Sequence, residues 1–504
     1  MSGALRSILV TAALVASTLG APGARAEAPQ DRFSAGGYLR IMTRPDLQGG
    51  DGRLGYWNLH GRLLNEGPYA ALELKLALLP ETADPTAPWT SVHAKIEGGT
   101  VQAADPGNGS LAGFRLTHLY ALAGNVLFED VTWRIGTLDT WLGDLGLYDM
   151  RPAQLFYETV GLSARYRAGA VEALVGLGDS GWLTYGDRYA TVLTAGGALR
   201  LFFDGLQVGL GGQLLFAPEV AGNRFAPHAT PGVDYEDWIR GEVVERYAAD
   251  QPDELDAFPR PEPRSGLGWK AILHLGFGGG PLRWNNLFAK LERRVPEQLT
   301  VETFPVDGEP RDFTIHTHDL TDERYALLIG NEAHFALVDR RLELVLGLLY
   351  GAHWDEDNDG VVPSDHDRWY GSVIVRLEAF ATDELHLLLE TSFAREVSDN
   401  GNRYRSHGDS IFASEDGLAN QRGLERGDSD TRDTWQLKLG PVLSPLGLGV
   451  WTRPSFRVLY GLQWSSQINA FGNSFVESLD QFNVYGAPNQ RWHHLVALEV
   501  EAWF

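Results

Sequence analysis

Cysteine is absent from all 504 residues. No disulfide can brace the fold, and thiolate-ligated zinc and thiol catalysis are excluded. Methionine occurs only three times, and no Pro- or Ser-rich linker divides the chain. Beyond residue 26 no apolar run reaches the roughly 20 residues a membrane helix needs. That exclusion does not extend to membrane strands, whose alternating pattern averages out in a hydropathy window. Positive charge is also scarce, with 42 Lys and Arg against 66 Asp and Glu and a formal net charge of −24. This balance argues against nucleic acid and against anionic partners in general.

What is present points to strands and turns. The chain holds 58 Gly, 15 Trp, 17 Tyr and 22 Phe, a composition suited to pleated surfaces and tight connections. The N-terminus "MSGALRSILVTAALVASTLGAPGARA" places Arg6 before an apolar run from Ile8 to Leu19 and ends on Ala24-Arg25-Ala26. A short apolar run followed by a small-x-small site reads as a signal peptide over residues 1–26, cut before Glu27. From Phe33 onward one texture persists to the end, so residues 27–504 read as a single domain.

The rhythm of the connections gives the architecture. Short links such as "AGN", "RAGA", "FFDG", "GGGP", "DRR", "TDE" and "SPLG" alternate with long polar ones, near 218–265, 293–322, 355–367, 397–431 and 466–490. A soluble Greek-key sandwich would not keep that parity; an up-and-down barrel with short periplasmic turns and long extracellular loops requires it. The expected fold is all-β, a transmembrane antiparallel barrel of about 18 strands, located in the bacterial outer membrane in contact with its lipid.

Faces agree with the rhythm. Leu72, Leu74, Leu76 and Leu78 alternate with Tyr69, Glu73 and Lys75, and Val373, Val375 and Leu377 alternate with Ser372, Arg376 and Glu378. A dry core would hold so many charges only at several kcal/mol each unless they were paired, so the charged face is expected to look into a wet lumen. On the last strand Val496, Leu498, Val500, Ala502 and Phe504 then meet lipid, and that strand closes the barrel against the first.

Four stretches in order, "GGYLRIM", "RLLNEGPYAALELKLAL", "WTRPSFRVLYGLQW" and "LEVEAWF", together with "GLYDMRPAQLFYETVGLSARY", resemble the maltoporin family of sugar-specific porins. The chain departs from that family in lacking its first-loop cysteine pair and in the spacing just before Tyr69. The resemblance implies a homotrimer carrying maltose- and maltodextrin-type oligosaccharides along a line of aromatic side chains. It puts Tyr38, Tyr69 and Trp503 on that line, Arg40 and Glu73 in the flanking polar track, and either Phe156 or Tyr157 at the constriction. The alternative for the rings is an ordinary interfacial girdle, for Arg40 and Glu73 an ordinary lumenal ion pair, and for the whole a general porin without a sugar site.

No catalytic constellation accompanies this: "GDSG" at Gly178–Gly181 has no evident His/Asp pair around it. The chain is expected to be neither an enzyme nor dependent on a cofactor. "DEDNDG" sets Asp355, Asp357 and Asp359 before Gly360 at calcium-loop spacing, against the alternative of a solvated acidic loop.

Overall fold

The computed structural model describes residues 32–45, 47, 57–98, 114–181, 191–217, 266–293, 299–306, 309–316, 324–355, 368–398, 431–466 and 491–504. Residues 1–26, expected from the sequence to be a signal peptide, lie outside them. Eighteen strands form one sheet: β1 (Phe33–Thr43), β2 (Tyr69–Leu79), β3 (Trp89–Gly98), β4 (Phe114–Gly124), β5 (Val131–Trp141), β6 (Gln154–Ala168), β7 (Val171–Asp179), β8 (Leu193–Phe203), β9 (Leu206–Ala217), β10 (Gly266–Gly279), β11 (Leu282–Arg293), β14 (Arg324–Val338), β15 (Leu342–Asp355), β16 (Arg368–Phe380), β17 (Leu385–Ser398), β18 (Thr431–Leu443), β19 (Ser455–Ser465) and β20 (Trp492–Trp503). A separate hairpin, β12 (Leu299–Val306) and β13 (Glu309–His316), occupies the connection between β11 and β14. One helical turn, α1 (Trp57–His60), lies between β1 and β2.

Each strand of the sheet pairs antiparallel with its sequence neighbours, and β1 closes on β20 with Tyr38 opposite Trp503 and Arg40 opposite Glu501. The closure extends to the last residue. Gly37 N–H donates to the Phe504 carbonyl at 2.8 Å, and Phe504 N–H donates to the Gly37 carbonyl at 3.1 Å. Gly37 is required there because a side chain would strike both the Phe504 ring and the Ala71 carbonyl. The last strand is therefore the seam of a closed cylinder, which leaves neither β1 nor β20 as an unpaired edge.

The outer surface is apolar. Leu72, Leu76, Leu78, Ile135, Val175, Leu177, Leu210, Leu214, Leu348 and Leu498 all stand exposed on it. Aromatics collect at its two rims, with Phe33, Phe203, Phe277, Phe456 and Phe504 toward the short turns and Phe114, Phe216, Trp369 and Trp492 toward the long loops. A soluble monomer rarely exposes a contiguous apolar patch beyond a few hundred Å². A continuous belt with aromatic rims is the surface of a barrel immersed in lipid.

The inner surface differs from the expectation of an evenly wet lumen. Two segments between strands fold inside. The β1–β2 segment buries Leu63 and Leu64 against Leu388, Val442, Leu459, Leu495 and Ala497 of β17–β20. The β5–β6 segment buries Leu142, Leu145, Leu147 and Tyr148 against Ile272, Phe288, Leu328, Val345, Leu349 and Ile374 of β10–β16. The charged face of β16–β20 is therefore enclosed. Its charges survive because they are paired: Arg376 with Glu390 at 2.5 Å, Lys438 with Glu390 at 2.9 Å, Arg432 with Glu396 at 2.6 Å, and Arg457 with both Glu499 and Glu501.

Candidate functional site: the inner wall and the two inward segments

The β5–β6 segment is held by its own backbone. Gly146 and Leu147 N–H groups donate to the Glu332 carboxylate of β14 at 3.1 and 2.6 Å. Ser372 Oγ–H donates to the Tyr148 hydroxyl at 3.1 Å. The β1–β2 segment is tied to it through Arg62 N–H, which donates to the Leu147 carbonyl at 2.9 Å. It is tied to the wall through Lys438, whose ammonium donates to the His60 carbonyl at 2.8 Å, and through Asn65, which donates to Gln436 at 3.0 Å. These bonds satisfy backbone groups that would otherwise be stranded inside the barrel.

Where the two segments meet, acids and bases are crowded. Glu66 pairs with Arg40 and lies 3.5 Å from the Arg62 guanidinium. Arg62 also reaches Glu501 at 2.8 Å, and Tyr38 donates its hydroxyl proton to the same carboxylate at 2.7 Å. The Glu66 and Asp149 carboxyls lie close enough to act on each other across the junction of the two segments. Burial pushes the Glu66 carboxyl up to about 8 despite Arg40, and the negative Asp149 adds to the shift. Burial alone would raise Asp149 as well, but the Arg62 charge holds it below the usual carboxylate range. The two shifts run in opposite directions, so of the pair Glu66 is the carboxyl that favours the proton.

Tyr38, Tyr69 and Trp503 come together. Tyr38 and Tyr69 ring centroids are 5.7 Å apart, and Tyr38 and Trp503 centroids 4.6 Å apart, all on the inner face of β1, β2 and β20. Tyr38 is 8% exposed, while Trp503, at the turn end of the line, is 63% exposed. Tyr69 donates to Glu97 at 2.5 Å. Glu73, two residues beyond Ala71 on the same face, is exposed.

Two expected contact residues need correcting. Arg40 turns away from the open interior and is buried, its Nε–H donating to the Gly67 carbonyl at 2.8 Å and its Nη1 paired with Glu66. It fastens the β1–β2 segment rather than offering donors to a solute. Phe156 is 0% exposed and packs in the internal core, with a left-handed φ of 58° that bends β6 at this point. An enclosed ring has no free face to stack on. Its neighbour Tyr157 is 54% exposed and opens on a cleft lined by Glu97, Arg115, His118, Asp139 and Thr159.

That cleft exists because β4 and β5 part. They pair only from Tyr120 to Gly124 against Thr132 to Gly136, and Thr137 Oγ–H then donates to the Leu119 carbonyl in place of a ladder bond. Of the acidic run Asp355, Asp357 and Asp359, the last two lie outside the described residues and Asp355 ends β15, with nothing described of its side chain. Sequence reasoning missed Glu66, Asp149 and Glu332. The cue available was a pair of apolar, acid-bearing connections, "LHGRLLNE" and "WLGDLGLYD", too rich in leucine for solvent-exposed loops.

The closed cylinder and lipid-facing belt together define a membrane-spanning β-barrel of the outer-membrane kind, with two segments folded into its interior. No family model matches the chain, and no curated protein matches it. Solved structures with a similar course include OmpT of Vibrio cholerae, at 9% identity and a TM-score of 0.36 over 95% of this chain and 100% of that one. They include the anion-selective porin of Comamonas acidovorans, at 10% identity and 0.38 over 94% and 99%. OprD of Pseudomonas aeruginosa is similar at 8% identity and 0.40 over 95% and 97%. No residue role is carried over from any of them.

Proposed function

We propose that this protein is an outer-membrane channel for passive diffusion of oligosaccharides of the maltodextrin type, assembled as a homotrimer. The observation that supports it is the line Tyr69–Tyr38–Trp503 on one inner wall, descending toward the short-turn end with Glu73 beside it. A pyranose has apolar C–H faces and a hydroxyl rim, so Tyr69 and Trp503, held on either side of the buried Tyr38, offer faces to stack on and the neighbouring Glu73 carboxylate accepts from the hydroxyls. Such contacts must be weak and repeated, because a pore that binds tightly does not conduct. The maltoporin resemblance supplies the sugar class, and the infolded segments supply the narrowing that sieving needs.

The test is single-channel conductance of the refolded protein in a planar bilayer with maltotriose, maltohexaose and sucrose titrated in. Concentration-dependent block by the malto-oligosaccharides is expected, weakened by Tyr69→Ala and Trp503→Ala. Open channels indifferent to every sugar would reduce the function to general diffusion.

A further inference from the structure

The other inner wall, on β2–β8, has a chemistry that the sugar reading does not use. Tyr120 on β4 lies between the His93 ring of β3 and the Arg134 guanidinium of β5. His93 stacks on it at 4.8 Å and 6°, and Arg134 lies 3.7 Å above the ring centroid. Arg134 Nη1 donates to the Asp139 carbonyl at 3.0 Å, but its buried Nε–H has no hydrogen-bond partner among the described residues. Pairing sets Thr132 opposite Arg165 and Arg134 opposite Ser163, so the two arginines are diagonal neighbours on the inner face. Arg165 and Arg167 are exposed there. Glu172, opposite Arg167, is bound by Arg200 at 3.1 Å. Lys75 lies on the same face of β2, opposite His93. Among the described residues of this part of the wall, the five cations Lys75, Arg134, Arg165, Arg167 and Arg200 outnumber the acids Glu73, Asp139 and Glu172, while Lys95 and Glu97 pair with each other at 2.6 Å.

Like-charged guanidiniums on neighbouring strands repel one another, and the buried Arg134 Nε–H without an acceptor carries a desolvation cost. The repulsion is relieved by an oxyanion held against the exposed Arg165 and Arg167, whose planar donors fit carboxylate and phosphate oxygens. The stacking of Arg134 on Tyr120 fixes its plane beside the exposed Arg165. We propose that this wall is an anion track, and that the channel favours solutes bearing carboxylate or phosphate oxygens over cations of similar size. The local charge is opposite in sign to the −24 of the whole chain. A narrow pore's selectivity follows the charges lining it, not the protein's total. The inference rests on the barrel conducting, and not on its taking neutral sugars.

The experiment is the reversal potential of the refolded barrel in a planar bilayer under a KCl gradient. A severalfold preference for chloride over potassium is expected, and the double variant Arg134→Gln/Arg165→Gln is expected to move it toward potassium. A wild-type channel with no preference, or one favouring potassium, overturns the proposal even if the variant fails to refold. So does a chloride preference that the double variant leaves unchanged. Block by trigalacturonate at lower concentration than by maltotriose would identify an acidic sugar as the ligand; equal block by inorganic phosphate would identify small free oxyanions. Absence of maltotriose block together with chloride preference would remove the neutral-sugar function and leave the anion track standing.

Discussion

Replacing Glu332 with alanine tests what holds the β5–β6 segment inside the barrel. The side chain accepts from two backbone donors, Gly146 N–H at 3.1 Å and Leu147 N–H at 2.6 Å, in a site closed to solvent. Each buried donor left without an acceptor costs about 1–3 kcal/mol, so the pair amounts to about 2–6 kcal/mol against the docked segment. Removing the carboxylate also removes the cost of burying it, which places the effect near the lower end. A loss of about 2 kcal/mol shifts docking roughly 30-fold toward the undocked state. Leu145, Leu147 and Tyr148 still favour the docked position through apolar burial, so the barrel itself is expected to remain folded. Two assays read the change: single-channel conductance and noise in a planar bilayer, both expected to rise, and hydrogen exchange of the Gly146 and Leu147 amides, expected to lose protection. Glu332→Gln retains one acceptor and should give a smaller effect of the same sign. If Glu332→Ala conducts as the wild type does and both amides stay protected, the carboxylate is not the anchor and the reasoning fails.

Two other perturbations probe the same architecture. Glu66, raised to about 8 by burial, is protonated in the folded state at a pH where an exposed carboxyl is already ionised. The folded state then binds the extra proton, so the contribution of Glu66 to the junction is full below the ordinary carboxyl range. It weakens by roughly 1.4 kcal/mol per pH unit as pH rises toward about 8, and no further above it. Channel noise is expected to grow across that window and to become flat in Glu66→Gln; an identical pH profile in the variant would show that another group titrates. At the seam, Gly37→Val forces a side chain into the Phe504 ring and the Ala71 carbonyl. Refolding yield, followed by the shift in electrophoretic migration on heating, is expected to fall sharply, and a normal yield would mean that closure tolerates a displaced C-terminus.

Much of the barrel was legible in the chain because strands obey a local rule. Alternation in "YAALELKLALL" and "RWYGSVIVRLEAF" identifies which side chains share a face without knowledge of any partner strand, and the parity of short and long connections supplies the order. Position 503 could be placed on the inner face and position 504 on the outer one for the same reason. Alternation does not say how wet a face is. Glu390, Lys438, Glu499 and Glu501 have the sequence signature of a lumen lining, yet they are enclosed because segments remote in the chain fold over them.

The same limit applies to the site. Sequence alone determined that Tyr38, Tyr69 and Trp503 share the inner face, since each follows from its own strand's period. Only the tertiary structure decided that their rings meet, through the register of β1 with both β2 and β20. It also decided that Arg40 serves a buried carboxylate, that the bend at Phe156 sends that ring into the core and leaves Tyr157 exposed, and that Arg134 and Arg165 lie side by side. Faces are set by a two-residue period carried within each strand. Pairing, enclosure and local charge are set by which strands and loops meet, and that depends on the closure of the whole cylinder.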